Sequence, residues 1–155
     1  MPTQRLKEFL DKQKVKYVSC KHSQAFTAQE VAASAHIPGK QIAKTVMVTI
    51  DGQMAMAVLP ATDHVDLRLM KKAIGAKKVE LASEREFKDL FPDCEIGAMP
   101  PFGNLYDLDV YVAENLREDE EIAFNAGTHT EIIRIAYLDF EKLVQPHVVA
   151  LSLAV

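Results

Sequence analysis

Two residues in this chain have a type and a setting that could do chemistry without a recognisable motif around them: Lys44 and His129. Lys44 opens the apolar run Lys44-Thr45-Val46-Met47-Val48-Thr49-Ile50. A lysine fixed at the mouth of a strand offers a cation to a phosphate, a carboxylate or a developing oxyanion. The same position also suits a solvated edge charge that guards against sheet-to-sheet pairing. His129 follows Gly127-Thr128, and a histidine in a glycine turn is either a surface residue or a donor to a substrate. Spacing alone decides neither case.

Motifs that would settle the question are missing. The sequence has no Gly-rich phosphate loop, no His-Glu-x-x-His, no Gly-x-Ser-x-Gly and no Cys-x-x-Cys. Its five histidines, His22, His36, His64, His129 and His147, are too scattered to read as metal ligands. Cys20 and Cys94 lack metal spacing and any neighbour that would lower a thiol pKa, so both read as buried structural thiols in a reducing compartment. The expectation is a site without metal or cofactor.

The stretch best suited to hold a substrate is Glu95-Ile96-Gly97-Ala98-Met99-Pro100-Pro101-Phe102-Gly103-Asn104-Leu105. Two consecutive prolines fix φ twice and remove two backbone donors, and the flanking glycines tolerate angles that other residues avoid. Such a stiff loop is either a tight crossover corner or a platform presenting backbone N–H groups to a ligand.

The elements that must position these residues follow from periodicity and caps. Leu6, Phe9 and Leu10 repeat at helical spacing and predict a short amphipathic helix from about Thr3 to Lys12. Val15 to His22 alternates as a strand, and Thr27-Ala28-Gln29-Glu30 is a capping box opening an alanine-rich helix to about Ala35. Asp51-Gly52 between Lys44–Ile50 and Gln53–Leu59 is the strongest hairpin signal in the chain. Asp63 or Asp66 caps a helix carrying Leu67, Met70 and Ile74, which Gly75 stops. A strand over Lys77 to Leu81 precedes a second capping box, Ser83 to Glu86, with Phe87, Leu90 and Phe91 as the buried face. Strands over Asp109 to Ala113, Glu121 to Asn125 and Thr130 to Ala136 lead to a last helix, Asp139 to Val144. The apolar tail from His147 either pairs at a sheet edge or meets a partner, which leaves monomer and homodimer both open. About seven strands and five helices in mixed order predict an α+β fold with a largely antiparallel or mixed sheet.

Composition sets the outer bounds. A chain of 155 residues, 48% hydrophobic and 26% charged, is expected to form one domain with a real core. A net charge of -4 argues against coating nucleic acid by bulk electrostatics, but not against gripping the end of an RNA through a local basic patch. Lys40, Lys71, Lys72, Lys77 and Lys78 are the candidates for that patch, or simply a solvated face. Neither a signal peptide nor an apolar run of membrane-spanning length is visible, so a cytoplasmic protein away from membranes is expected.

Gln41-Ile42-Ala43-Lys44-Thr45-Val46, the Gly97-x-x-x-Pro101 loop, Gly127-Thr128-His129 and His22 ahead of Thr27 to Ala33 occur in a telling order. Together, over roughly Leu6 to Pro146, they resemble the YbaK family, which includes the editing domain of bacterial prolyl-tRNA synthetases and free-standing aminoacyl-tRNA deacylases. The resemblance implies a highly curved, barrel-like mixed sheet with surrounding helices. It also implies hydrolysis of the ester linking a wrong, small amino acid (alanine, serine or threonine) to the 3′ end of a tRNA. By that resemblance Lys44 lies near the terminal adenosine and its phosphate, while Gly97 and Pro101 belong to the loop that holds the scissile carbonyl. His129 lines the substrate pocket, with His22 and Gly127 as further substrate-binding positions. The partner implied is aminoacyl-tRNA, with or without a synthetase to deliver it. Two departures stand out: Thr128-His129 replaces the basic pair of cysteine-specific deacylases, and Glu114 falls one place late for the acidic residue after the loop. The alternative from another class is a non-catalytic module that holds the tRNA 3′ end or another adenosine ligand.

Overall fold

The computed structural model describes residues 2–21, 37–92, 94–95 and 97–154. The expected alanine-rich helix from Thr27 and the candidate His22 lie outside them. In chain order the elements are α1 (Pro2–Lys12), β1 (Val18–Lys21), β2 (Ala43–Ile50), β3 (Gln53–Pro60), β4 (Asp63–Val65), α2 (Leu67–Ile74) and β5 (Val79–Leu81). After these come α3 (Glu84–Phe87), β6 (Asp109–Ala113), β7 (Glu121–Asn125), β8 (Glu131–Ala136), α4 (Tyr137–Val144), β9 (His147–Val149) and β10 (Ser152–Ala154).

The β2–β3 hairpin is the spine. Asp51 (φ 50°) and Gly52 (φ 85°) both take positive φ, as a two-residue turn matching strand twist requires, and the ladder runs without a break from Ile50 opposite Gln53 to Ala43 opposite Pro60. Around it the described strands form three sheets, ordered β5-β2-β3-β6-β9, β1-β8-β7 and β10-β4. A parallel bridge from Ile42 to Ala123 ties the first sheet to the second. Strands β6 and β9 add in parallel, so the five-stranded sheet is mixed, as expected. None of the three sheets closes on itself, so the described residues form no continuous barrel.

Period-two alternation gives the five-stranded sheet two buried faces. Met47, Met56, Val58, Val110 and Val112 face a large core shared with α1, α4 and the three-stranded sheet, where Phe102 meets Phe9, Phe124 and Phe140. Val48, Ala55, Ala57 and Leu59 face a second core closed by Met70 of α2 and by Leu151. That double burial explains why β3 reads as an almost unbroken apolar run.

Several expectations need correction in detail. The first strand is shorter than Val15 to His22, beginning at Val18, with Val15 and Tyr17 packed against the large core. Asp66, not Asp63, caps α2, accepting from the Leu69 N–H, and Gly75 ends that helix in the left-handed region. The Ser83–Glu86 capping box forms but opens only one α-turn, and Leu90 is exposed while Phe87 and Phe91 are buried. Of the two alternatives for the tail, sheet-edge pairing is the one that forms: β9 pairs with β6, β10 pairs with β4, and Leu151 is fully buried while Leu153 stays exposed. The strand β4 had no counterpart in the sequence reading, since three residues, Asp63 to Val65, show no alternation.

Candidate active site

Lys44 is presented where the edge of β2 is unfinished. One side of β2 is covered by β3 along its whole length, but the other pairs with β5 only from Val48 to Ile50. The Ala82 N–H to Met47 carbonyl bond extends that cover by one residue, and the bridge from Ile42 to Ala123 occupies the opposite end. Between them, no described residue pairs with the edge at Lys44 to Val46. A cavity of about 150 Å³ sits there, lined by Ala43, Lys44, Thr45, Gly97, Met99 and Asn125.

Lys44 shares its strand face with Val46 and also borders a second cavity of about 260 Å³, with Val46, His64, Val65, Leu67 and Leu81. Its ammonium makes no ion pair with any described residue. Burial pushes the Lys44 amine below the ordinary lysine range, and the negative charge of Asp63 works in the opposite direction.

Thr45 lies on the other strand face, with Ala43 and Met47. Thr45 Oγ1 and Asn125 Oδ1 are buried without a hydrogen-bond partner among the described residues. Buried polar atoms are rarely left so, and both residues line the same cavity. A χ1 rotation of Thr45 or a flip of the Asn125 amide turns a polar atom toward its space. Sequence reasoning missed both. The only hint was position, Thr45 next to Lys44 and Asn125 at the strand end before Ala126-Gly127.

The glycine loop is clamped to the 126–129 turn by backbone bonds. Glu95 N–H donates to the Gly127 carbonyl (2.8 Å), Gly127 N–H to the Ala98 carbonyl (2.9 Å) and Ala98 N–H to the Glu95 carbonyl (3.0 Å). These use up the donors of Gly127 and Ala98. Gly97, at φ 86°, donates its N–H, among the described residues, to the Met99 thioether at 3.3 Å, a weak acceptor. Of the loop residues singled out from sequence, Gly97 therefore brings an available donor to the cavity. Gly127 belongs to the clamp, and Pro101 is buried in the loop without lining the cavity.

His129 stands behind Gly97 rather than on the cavity wall. It is 5% exposed, and a β-carbon at Gly97 would lie 3.5 Å from its Cε1. Glu95 holds it from the side: Oε2 accepts from the His129 backbone N–H at 3.1 Å and lies 3.9 Å from Nε2. Sequence reasoning did not single out Glu95. Cys20 and Cys94 are half-buried, with Cys94 Sγ 3.4 Å from the Tyr106 hydroxyl. The basic candidates Lys40, Lys71, Lys72, Lys77 and Lys78 are all exposed; Lys78 pairs with Glu80, and Asp51 accepts from the Lys77 and Lys78 backbone N–H groups.

Residues 22–143 match the family model described as aminoacyl-tRNA editing domain. The chain belongs to this family. Its full span of site residues, from Lys44 to His129, falls inside the match. Among curated relatives, the multifunctional Ser/Thr-tRNA deacylase ProXp-y of Escherichia coli (strain K12) is 32% identical over 114 residues, 70% of this chain and 68% of that protein. A proline–tRNA ligase of Bacillus mycoides (strain KBAB4) is 29% identical over 82 residues, 53% of this chain but 14% of the ligase. The editing domain thus resembles a short segment of a much longer synthetase. Among solved structures, a candidate trans-editing enzyme for prolyl tRNA synthetase superposes with a TM-score of 0.83 at 22% identity, covering 99% of this chain and 98% of that one. That match extends the shared fold beyond the family-model span. No helix among the described residues is long and apolar enough to cross a membrane.

Proposed function

We propose that this chain hydrolyses the ester between a small amino acid and the 3′ end of a mischarged tRNA, with serine and threonine as the leading substrates. The observation that carries the reading is the cavity at the open edge of β2, where Lys44 and the Gly97 N–H border one small space. At about 150 Å³ it is well below the roughly 300–1,000 Å³ typical of sites for drug-sized ligands. It suits one small aminoacyl group. Thr45 and Asn125 supply hydrogen-bonding capacity there that an alanyl side chain leaves unused and a seryl or threonyl hydroxyl satisfies. The similarity to a Ser/Thr-tRNA deacylase supports the same choice.

The chemistry needs little from the protein. An aminoacyl ester is already activated, so water adds to its carbonyl, the C–O bond to the ribose breaks, and free amino acid and tRNA leave. The Gly97 N–H donates to the oxygen that becomes negative, and Lys44 supplies a nearby cation for that charge or for the terminal phosphate. His129 and Glu95 act behind the loop, holding Gly97 in its left-handed conformation against the clamp. The chain works in trans in the cytoplasm, on tRNA released or presented by a synthetase.

The test is deacylation of tRNAs charged with Ala, Ser, Thr, Cys and Pro, with wild type beside Lys44→Ala. Selective loss of the Ser or Thr ester, abolished in the variant, is the expected result. A folded protein that binds tRNA and turns over none of them would leave a binding module instead.

A further inference from the structure

Asp63 is one of the three buried polar or charged residues of the described chain, at 4% exposure, and the reaction above does not use it. It opens β4, just after the turn that leaves the hairpin at Pro60. Asn115 Nδ2 donates to Asp63 Oδ2 at 2.7 Å, and the Ser152 hydroxyl donates to the same oxygen at 2.8 Å. The Thr62 hydroxyl approaches Oδ1 at 3.4 Å. Among the described residues, the Asp63 oxygens thus accept from one amide and two hydroxyls, and Oδ2 is the oxygen held by two of them. Lys44 borders the 260 Å³ cavity together with His64 and Val65, the two residues that follow Asp63 in β4, and the Asp63 charge favours its ammonium form. Among the described residues, neither the buried Asp63 carboxylate nor the half-buried Lys44 ammonium forms an ion pair.

We propose that Asp63 is a positioning residue for Lys44: a carboxylate clamped from two distant parts of the chain, it supplies the fixed counter-charge that keeps the ammonium charged and aimed at the open edge of β2. The clamp has a purpose on this view. Without Asn115 and Ser152, a carboxylate beside a lysine would form a direct ion pair and withdraw the cation from the site. Held at Oδ2, Asp63 acts through space and leaves the Lys44 donors for substrate. The C-terminal strand β10, through Ser152, thereby becomes part of the support of the site. Among the described residues bordering the two cavities, His64 is the other titratable group.

The proposal rests on Lys44 as the cation of the site, but its test does not need activity. Lysine side chains of the intact protein are isotope-labelled and titrated by NMR, with Lys44 assigned by the signal that Lys44→Met removes. Asp63→Asn is expected to lower the Lys44 midpoint by about half a pH unit or more, because an opposite charge nearby favours the ionised form. Asp66→Asn, which removes a neighbouring carboxylate charge but keeps a capping side-chain oxygen for α2, is expected to leave it in place. Coupling is reciprocal, so Lys44→Met must raise the Asp63 carboxyl midpoint by the amount that Asp63→Asn lowers that of Lys44. This second arm stands even if Asp63→Asn does not fold. Where deacylation is measurable, its alkaline limb moves down with the Lys44 midpoint, which a merely structural aspartate would not cause. An unmoved Lys44 midpoint in folded Asp63→Asn, or an unmoved Asp63 midpoint in Lys44→Met, overturns the proposal. Coupled midpoints in a protein that deacylates nothing would instead overturn the hydrolase reading and leave this one standing.

Discussion

Thr45→Val should make the protein more stable and a worse editor of hydroxyl-bearing amino acids. Thr45 Oγ1 is buried without a partner among the described residues, and valine replaces it with a methyl of nearly the same shape. Leaving a buried hydroxyl unsatisfied costs about 1–3 kcal/mol. Thr45 as a whole is only half-buried, so the low end, about 1 kcal/mol, is the appropriate figure. For a domain of this length that raises the thermal midpoint by roughly 2–4 °C. On the catalytic side, one neutral hydrogen bond contributes about 0.5–1.5 kcal/mol, which converts to a loss of roughly two- to tenfold in kcat/KM. That loss should fall on Ser-tRNA and Thr-tRNA and spare Ala-tRNA, since an alanyl group has no hydroxyl to present. Calorimetry and a deacylation panel on the same preparation measure both halves. A lowered midpoint would show that the hydroxyl is satisfied in the folded protein. Equal losses on the alanyl and seryl esters would show that Thr45 does not read the hydroxyl.

Gly97→Ala places a side chain at φ 86°, a conformation that disfavours any β-carbon by about 1–2 kcal/mol, while the space toward His129 is ordinary contact distance. A fall of about 2–8 °C in thermal midpoint and a loss of up to about 10²–10³-fold in kcat, the size of one lost oxyanion donor, are expected; unchanged kcat would remove Gly97 from the mechanism. Phe102→Ala empties the centre of the large core, where the ring meets Phe9, Phe124 and Phe140, and should cost about 3–5 kcal/mol in denaturant unfolding. A cost under about 1 kcal/mol would contradict that packing. Tyr137 is buried beside Glu141, and burial with that charge holds its phenol well above the ordinary tyrosine range. The raised value means that its contribution is intact below about pH 10 and is lost as pH climbs further, because the unfolded chain releases the proton first. Tyr137→Phe should therefore flatten the alkaline fall in stability, read as thermal midpoint against pH from 9 to 12; an equally steep fall would contradict the assignment.

Local pattern determined a good deal here. Asp51-Gly52 demands two positive φ angles, so the hairpin at the centre of the fold could be read directly, as could the stop at Gly75 and the stiff loop from Glu95 to Leu105, whereas the cap of α2 stayed open between Asp63 and Asp66. These features depend on a few neighbouring residues, which is why sequence carries them. Lys44 and Gly97 were likewise legible as candidates, through their setting and through resemblance.

The tertiary structure alone decided what those candidates meet. The site exists because β5 stops opposite Val48 and the Ile42–Ala123 bridge begins beyond Ala43, and no window of sequence records where a neighbouring strand ends. Gly127 and His129 are substrate-binding positions by resemblance, and the structure adds what they touch: Gly127 exchanges backbone bonds with the loop, and His129 is buried beside Gly97. Asp63 looked like a helix cap and is instead held by Asn115 and by Ser152, 52 and 89 positions further along the chain. Contacts of that range arise only when sheets pack. Short strands such as β10, too brief to alternate, are what bring them together.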